Sequence, residues 1–127
     1  MERMRNSFKY LNFPDFDGEE YLTCIKKLVD LDRDWMPKVD NRHSLYIRPT
    51  GISMEDTIGV SPASKVKLFT IISPVGPYYP QGFKPVKVFC KLDAVRAWPN
   101  GSGDKKLGSN YGPTVYHATQ VAKEGYD

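Results

Sequence analysis

The sequence contains no apolar run near the roughly 20 residues that a membrane-spanning helix needs, which excludes such a helix and gives no reason to expect a membrane partner. Only two cysteines, Cys24 and Cys90, and two histidines are present. They form no CxxC pair and are too few and scattered for zinc, so no metal site is expected. Two free thiols in a reducing compartment are the expectation. No charge of one sign dominates: 18 Lys and Arg stand against 15 Asp and Glu, a net of +3. Basic residues alternate with acids from Lys26 to Lys38, the pattern of a solvated surface, so no nucleic-acid partner is expected. The opening Met1-Glu2-Arg3-Met4-Arg5-Asn6-Ser7 lacks the apolar stretch of a signal peptide, and secretion is not expected. Asn100-Gly101-Ser102 fits a glycosylation sequon and is read instead as a turn. No internal repeat or low-complexity tract occurs.

What the sequence does contain is globular. Its 127 residues amount to one domain or part of a larger one. Hydrophobic residues make up 40% and charged residues 26%, which excludes a disordered or fibrous chain. Eight Tyr, six Phe and two Trp can fill a core.

Met1, Met4, Phe8 and Leu11 recur at helical spacing, which predicts a short helix over 1–11, ended by Asn12-Phe13-Pro14-Asp15. Asp15 or Asp17 can cap a second helix reaching about Asp30. Its buried face would carry Tyr21, Leu22, Ile25, Leu28 and Val29, with Lys26 and Lys27 opposite. Asp30–Asn41 reads as a loop. Residues 44–50 alternate as a strand, with Leu45 and Ile47 on one side and Tyr46 and Arg48 on the other. Residues 51–64 read as a polar connection. Residues 65–73 are nearly continuous apolar, which predicts a strand covered on both faces. Pro74–Pro85 holds four prolines and two glycines and is the candidate interdomain linker. A third strand is expected over Val86–Cys90 and a loop over 99–112. A last helix would run from Pro113 to Lys123 and be closed by Gly125. The pattern opens at a helix and stops where an αβ unit would begin its next strand. The expectation is therefore an α/β fold with mixed sheets, cut at both ends from a longer protein.

The chemistry-bearing stretch is Lys106-Leu107-Gly108-Ser109-Asn110-Tyr111-Gly112-Pro113-Thr114. A lysine amine can form a Schiff base with an aldehyde cofactor when its surroundings favour the neutral form. A nearby tyrosine hydroxyl can hydrogen-bond a phenolic oxygen on such a cofactor. On chemistry alone Lys105 competes with Lys106, and either can be an ordinary solvated lysine.

This segment resembles the cofactor-lysine segment of branched-chain amino acid aminotransferases, pyridoxal-phosphate enzymes of fold type IV. The resemblance extends in order over essentially the whole chain, with eukaryotic-type spacing. Ser44-Leu45-Tyr46-Ile47-Arg48-Pro49 is similar to the family's Leu-Tyr-x-Arg-Pro strand. Ser73-Pro74-Val75-Gly76-Pro77-Tyr78-Tyr79-Pro80 is similar to its interdomain connection, and Arg96-Ala97-Trp98 to its approach to the lysine. Met1-Glu2-Arg3-Met4 resembles a helix start that carries a phosphate-binding arginine; Cys24–Leu28 and Asp32–Trp35 fit as well.

The resemblance implies a two-domain fold type IV aminotransferase, with residues 1–77 in the smaller domain, 78–85 as linker and 86–127 opening the larger domain. It implies transfer of the amino group of leucine, isoleucine or valine to 2-oxoglutarate through pyridoxal 5′-phosphate, in a cytoplasmic or mitochondrial homodimer. Lys106 would hold the cofactor and carry the proton, Tyr111 would bond its phenolic oxygen, and Arg3 would take its phosphate. Tyr46 and Tyr78 would line the side-chain pocket, with Arg48 at the substrate entrance. From the residues alone, Tyr46 can equally be a packed strand aromatic, Arg5 competes with Arg3, and Tyr79 competes with Tyr78. Ser109 stands where the family commonly has glycine, and Asp104-Lys105 replaces an Asn-aromatic pair. The family's glutamate for the pyridine nitrogen and part of its phosphate site have no counterpart before Asp127, so the isolated chain is expected to be inactive. The alternatives are a truncated non-catalytic isoform that binds a partner subunit, a D-amino acid aminotransferase or lyase of the same fold, and, on charge alone, a nucleic-acid-binding module.

Overall fold

In the computed structural model, residues 1–40, 42–79 and 81–127 are described. The elements are α1 (Glu2–Tyr10), α2 (Gly18–Leu31), a 3-10 turn (Arg33–Trp35), β1 (Ser44–Ser53), β2 (Val66–Val75), a second 3-10 turn (Gly108–Asn110) and α3 (Gly112–Lys123). Helices and strands are mixed, as expected. Among the described residues the strands form one antiparallel two-stranded sheet.

Helix α1 ends where the sequence predicts. Asn12 adopts φ +53°, and the Phe13 amide reaches back to the Phe8 carbonyl at 2.9 Å, closing the last turn. Of the two candidate caps, Asp17 takes the role for α2. Its Oδ1 accepts from the Glu19 amide at 2.9 Å and the Glu20 amide at 3.0 Å. Those two amides, Glu20 first, hold its carboxyl below the ordinary range. Asp15 instead pairs with Arg5 at 3.5 Å. The predicted face of α2 turns inward, with Ile25 buried and Tyr21, Leu22, Leu28 and Val29 half-buried, while Lys26 and Lys27 face out.

The register pairs Ser44 with Val75 and Ser53 with Val66, so directly opposed residues share a face. One face carries Leu45, Ile47, Pro49 and Gly51 opposite Pro74, Ile72, Thr70 and Leu68. The helices cover this side. The buried Phe8 ring presses on Gly51, where an added Cβ would lie 2.2 Å from Phe8 Cζ. Phe8 meets Phe13 and Phe16 edge-on at 5.3 and 5.0 Å, and Phe16 meets Tyr21 at 5.8 Å. The Tyr21 hydroxyl then donates to the Phe69 carbonyl at 2.7 Å and lies 2.8 Å from Thr70 Oγ1. One aromatic chain thus fastens α1 and α2 to β2.

Several expectations require correction. Strand β1 runs on through Gly51 to Ser53, because the missing side chain at residue 51 is what admits Phe8 while pairing continues. The connection is shorter than expected and is held by Glu55, whose Oε1 accepts from Ser64 and Lys65 and tucks Ala63 into the core. Strand β2 continues through Pro74 instead of stopping at Ser73. In a two-stranded sheet each strand has an outer edge, where a residue without an N–H is tolerated. The strand is not covered on both faces, since Ile71 is 52% exposed beside exposed Tyr46 and Ile52. Val86–Cys90 is not a strand, for among the described residues it has no neighbour with which to build a ladder. The Asp127 amide donates to the Lys87 carbonyl and the Lys87 amide to Asp127 Oδ2, each at 2.8 Å. Helix α3 starts at Gly112, with Pro113 inside its first turn, and Gly125 (φ +86°) follows its end as expected. Residue 41 of the expected loop and residue 80 of the expected linker lie outside the described residues.

The accessible surface is 10615 Å². A compact monomer of this mass exposes about 6,900 Å². The open sheet face and the stretch 81–106 account for the surplus in kind: Phe83, Val88, Leu92 and Trp98 are all exposed.

Gly51→Ala is expected to destabilise the chain by about 1–3 kcal/mol, because Phe8 is enclosed and cannot yield freely. Urea denaturation followed by far-UV circular dichroism reads this directly; an unshifted midpoint would mean that the Phe8 contact is dispensable.

Candidate functional site

The lysine loop is built by two inward residues and two outward ones. Leu107 and Asn110 are buried at 8% and 6% exposure, while Lys106 and Tyr111 face out. The Asn110 side chain fastens the loop. Its Nδ2 donates to the Ser102 and Lys105 carbonyls, each at 2.8 Å, and its Oδ1 accepts from Ser102 Oγ at 2.8 Å. The 3-10 turn Gly108–Asn110 then brings residue 111 back beside residue 106. The Lys106 ammonium donates to the Tyr111 hydroxyl and lies 4.1 Å from the ring centroid. Helix α3 begins immediately after, with Thr114 Oγ1 donating to the Tyr111 carbonyl at 2.7 Å.

Electrostatics separate the two adjacent lysines. Lys105 pairs with the Asp104 carboxylate and sits 5.6 Å from the Tyr10 ring centroid. Among the described residues no carboxylate pairs with Lys106; its partner is a phenol. The hydrogen bond from Lys106 holds the Tyr111 phenol below its ordinary value; desolvation opposes this, and the charges of Lys106, Arg96 and Arg3 add smaller contributions in the lowering direction. An amine without a carboxylate counter-ion, a phenol biased toward phenolate and two further guanidinium groups suit an aldehyde that carries an anionic group.

Lys106 and Tyr111 are thus brought together, and Arg3 reaches them through its charge on the phenol and through its carbonyl, which accepts from Ser7 Oγ at 3.0 Å. Tyr46 and Arg48 meet each other: Arg48 Nη2 donates to the Tyr46 hydroxyl at 3.1 Å and its guanidinium lies 5.2 Å from the ring centroid. Both lie on the uncovered sheet face, so Tyr46 is not a packed strand aromatic. Tyr78 is 90% exposed and touches Tyr79 edge-on at 4.8 Å. Among the described residues no hydrogen bond or ring contact joins Tyr46, Arg48 or Tyr78 to Lys106. A concavity of about 570 Å³, open to solvent, is lined by Ala97, Trp98, Asn100, Gly103 and Lys105, and Lys106 is not among its lining residues.

Two residues of this site entered the sequence only inside longer stretches, Arg96 in Arg96-Ala97-Trp98 and Asn110 in the lysine segment, and nothing in their spacing announced a role.

Comparison with known proteins now applies. No protein-family model matches the chain. A branched-chain-amino-acid aminotransferase of Dictyostelium discoideum is 48% identical over 126 residues, covering 99% of this chain and 33% of that protein. A mitochondrial one from Schizosaccharomyces pombe is 45% identical over 98% of this chain and 29% of its own length. A cytosolic one from Saccharomyces cerevisiae is 46% identical over 99% of this chain and 33% of its own. These homologues are all branched-chain-amino-acid aminotransferases. The chain spans about a third of the length of the curated relatives it matches, and the matched names include both mitochondrial and cytosolic proteins.

Two outcomes are expected. In a Lys106→Met variant the Tyr111 phenol loses its principal hydrogen bond and its ionisation moves to higher pH. An ultraviolet phenolate titration, with Tyr111→Phe subtracted to isolate this residue, checks it; identical difference curves would dissociate the pair. Asn110→Ala removes three hydrogen bonds around a buried position, and a loss of about 1–3 kcal/mol in denaturant unfolding is expected.

Proposed function

We propose that this chain is the cofactor-lysine segment of a branched-chain-amino-acid transaminase, which moves the amino group of leucine, isoleucine or valine to 2-oxoglutarate with pyridoxal 5′-phosphate. The observation that carries the reading is the Lys106–Tyr111 pair, in a chain whose relatives bear that name. The donor set fits the cofactor. Lys106 would hold its aldehyde carbon and then carry the proton to and from the substrate α-carbon. Tyr111 would hydrogen-bond its phenolic oxygen, a role favoured by the bias of this phenol toward phenolate. Arg3 would meet the phosphate with a planar fork of donors. When bound, pyridoxal phosphate supplies the electron sink for the carbanion.

Tyr46 and Tyr78 would line the pocket for the branched side chain, and Arg48 would stand at its entrance. An apolar, tyrosine-lined pocket discriminates poorly between chains that differ by a methylene, so leucine and isoleucine would both be accepted. The reading includes a two-domain fold type IV protein, with 1–77 in the smaller domain, 78–85 as linker and 86–127 in the larger, acting as a homodimer in cytosol or mitochondrion. The catalytic activity proposed is that of a polypeptide of the relatives' length. For that protein, an assay of both enantiomers of leucine separates the reading from a D-amino acid aminotransferase.

The test of the segment itself is chemical trapping. The purified chain is incubated with pyridoxal phosphate, reduced with borohydride, digested and mapped by mass spectrometry. Label is expected at Lys106 in preference to Lys105 and the other lysines. Label distributed according to exposure would sink the reading.

A further inference from the structure

The loop that carries Lys106 is tied to helix α1 by one hydroxyl. Ser7 lies on α1, is 5% exposed, and has two partners. Its Oγ donates to the Arg3 carbonyl one turn back at 3.0 Å and accepts from the Lys106 amide at 2.9 Å, across 99 residues of sequence. The division of labour is fixed by chemistry. A hydroxyl has one proton, and the carbonyl can only accept, so the proton goes to Arg3; the lone pairs then face the Lys106 N–H. A serine bonding its own helix carbonyl is common. A serine that also accepts from the main chain of a remote loop holds the two segments at a set distance. The two residues joined through it, Arg3 by its carbonyl and Lys106 by its amide, are the ones to which the proposed function gives the phosphate and the aldehyde.

We propose that Ser7 is a positioning residue for the lysine: its buried hydroxyl fixes the backbone of Lys106 against the turn of α1 that bears Arg3. This sets the spacing between the amine that takes an aldehyde and the guanidinium that takes its phosphate. The proposal deepens the aminotransferase reading and rests on it for the identity of the ligand. Leu107, buried next in the chain, and Asn110, which holds the Lys105 carbonyl, fix the same loop from its other side. The lysine side chain is thereby launched from a main chain held on both flanks, whereas the ion-paired Lys105 side chain is not aimed at Tyr111. Placement of this kind is what lets a flexible side chain act at a defined atom.

Two readouts on the full 127-residue chain test the proposal. The first is hydrogen exchange at the Lys106 amide. Ser7→Ala removes its acceptor, and protection there is expected to fall roughly fivefold, while the amides of α1 keep theirs. The second is the ratio of borohydride-fixed pyridoxyl label on Lys106 to that on Lys105, which a merely structural serine would leave unchanged. It is expected to fall at least threefold in Ser7→Ala and to recover in Ser7→Thr, which restores the hydroxyl. If the threonine methyl disturbs α1, Ser7→Cys keeps the volume with a weak acceptor and should behave like the alanine variant.

If the parent chain labels selectively at Lys106 and Ser7→Ala does so equally, the proposal fails while the aminotransferase reading stands. If the parent chain shows no selectivity, that reading fails, and the amide alone decides on Ser7. Loss of protection in Ser7→Ala supports the link, and unchanged protection overturns it.

Discussion

The ring of Phe8 occupies the space that a side chain on residue 51 would need. Around that contact the described part of the molecule is assembled. Phe8 gathers Phe13 and Phe16 edge-on, Phe16 hands on to Tyr21, and Tyr21 bonds the backbone of β2. Ser7, the preceding residue on the same turn of α1, bonds the amide of Lys106. Two neighbouring residues of one short helix therefore serve different ends: one builds the core on the sheet, the other receives the lysine loop. Helix α1 is not merely a carrier of Arg3, since its burial on Gly51 fixes the platform from which the lysine is held.

The site depends on a contrast between two adjacent cations. Lys105 and Lys106 are the same residue type one position apart, yet one faces a carboxylate and the other a phenol. An ammonium held by Asp104 has its counter-charge in place. An ammonium held by Tyr111 donates to a phenol that this same hydrogen bond, with smaller help from the charges of Lys106, Arg96 and Arg3, draws toward ionisation. Such a pair is suited to reacting with an electrophilic carbon and to passing a proton, and the loop geometry around Asn110 creates it.

Much of this was legible in the sequence, and the exceptions share a physical origin. The helices, the Asp17 cap and the inward face of α2 follow from spacing and capping chemistry, which act within a few residues. The pairing of a lysine with a tyrosine five positions on was visible as a motif. What local chemistry could not reveal was which neighbours would be present. Gly51 reads as the start of a polar connection until Phe8 is placed against it. Val86–Cys90 has the composition of a strand but no partner strand. The apolar run of β2 suggests cover on both faces, and cover is found on one. Ser7 carries no signal at all, because its significance lies in an amide 99 residues away. The resemblance implied the roles of Lys106, Tyr111 and Arg3; the geometry supplied the serine that links Arg3 to Lys106.

That separation has a bearing on how the chain reaches its final form. During synthesis the aromatic cluster and both strands are complete within the first 75 residues, and their contacts can be made as soon as that length has emerged. The lysine loop must wait for another 30 residues and then close a ring of nearly the whole chain to find its acceptor on α1. Loop-closure entropy rises only slowly with length, but contacts so far apart in sequence delay folding. The Lys106 amide therefore emerges after its acceptor on α1, and the seating of its loop is expected to follow the assembly of the aromatic cluster and the two strands.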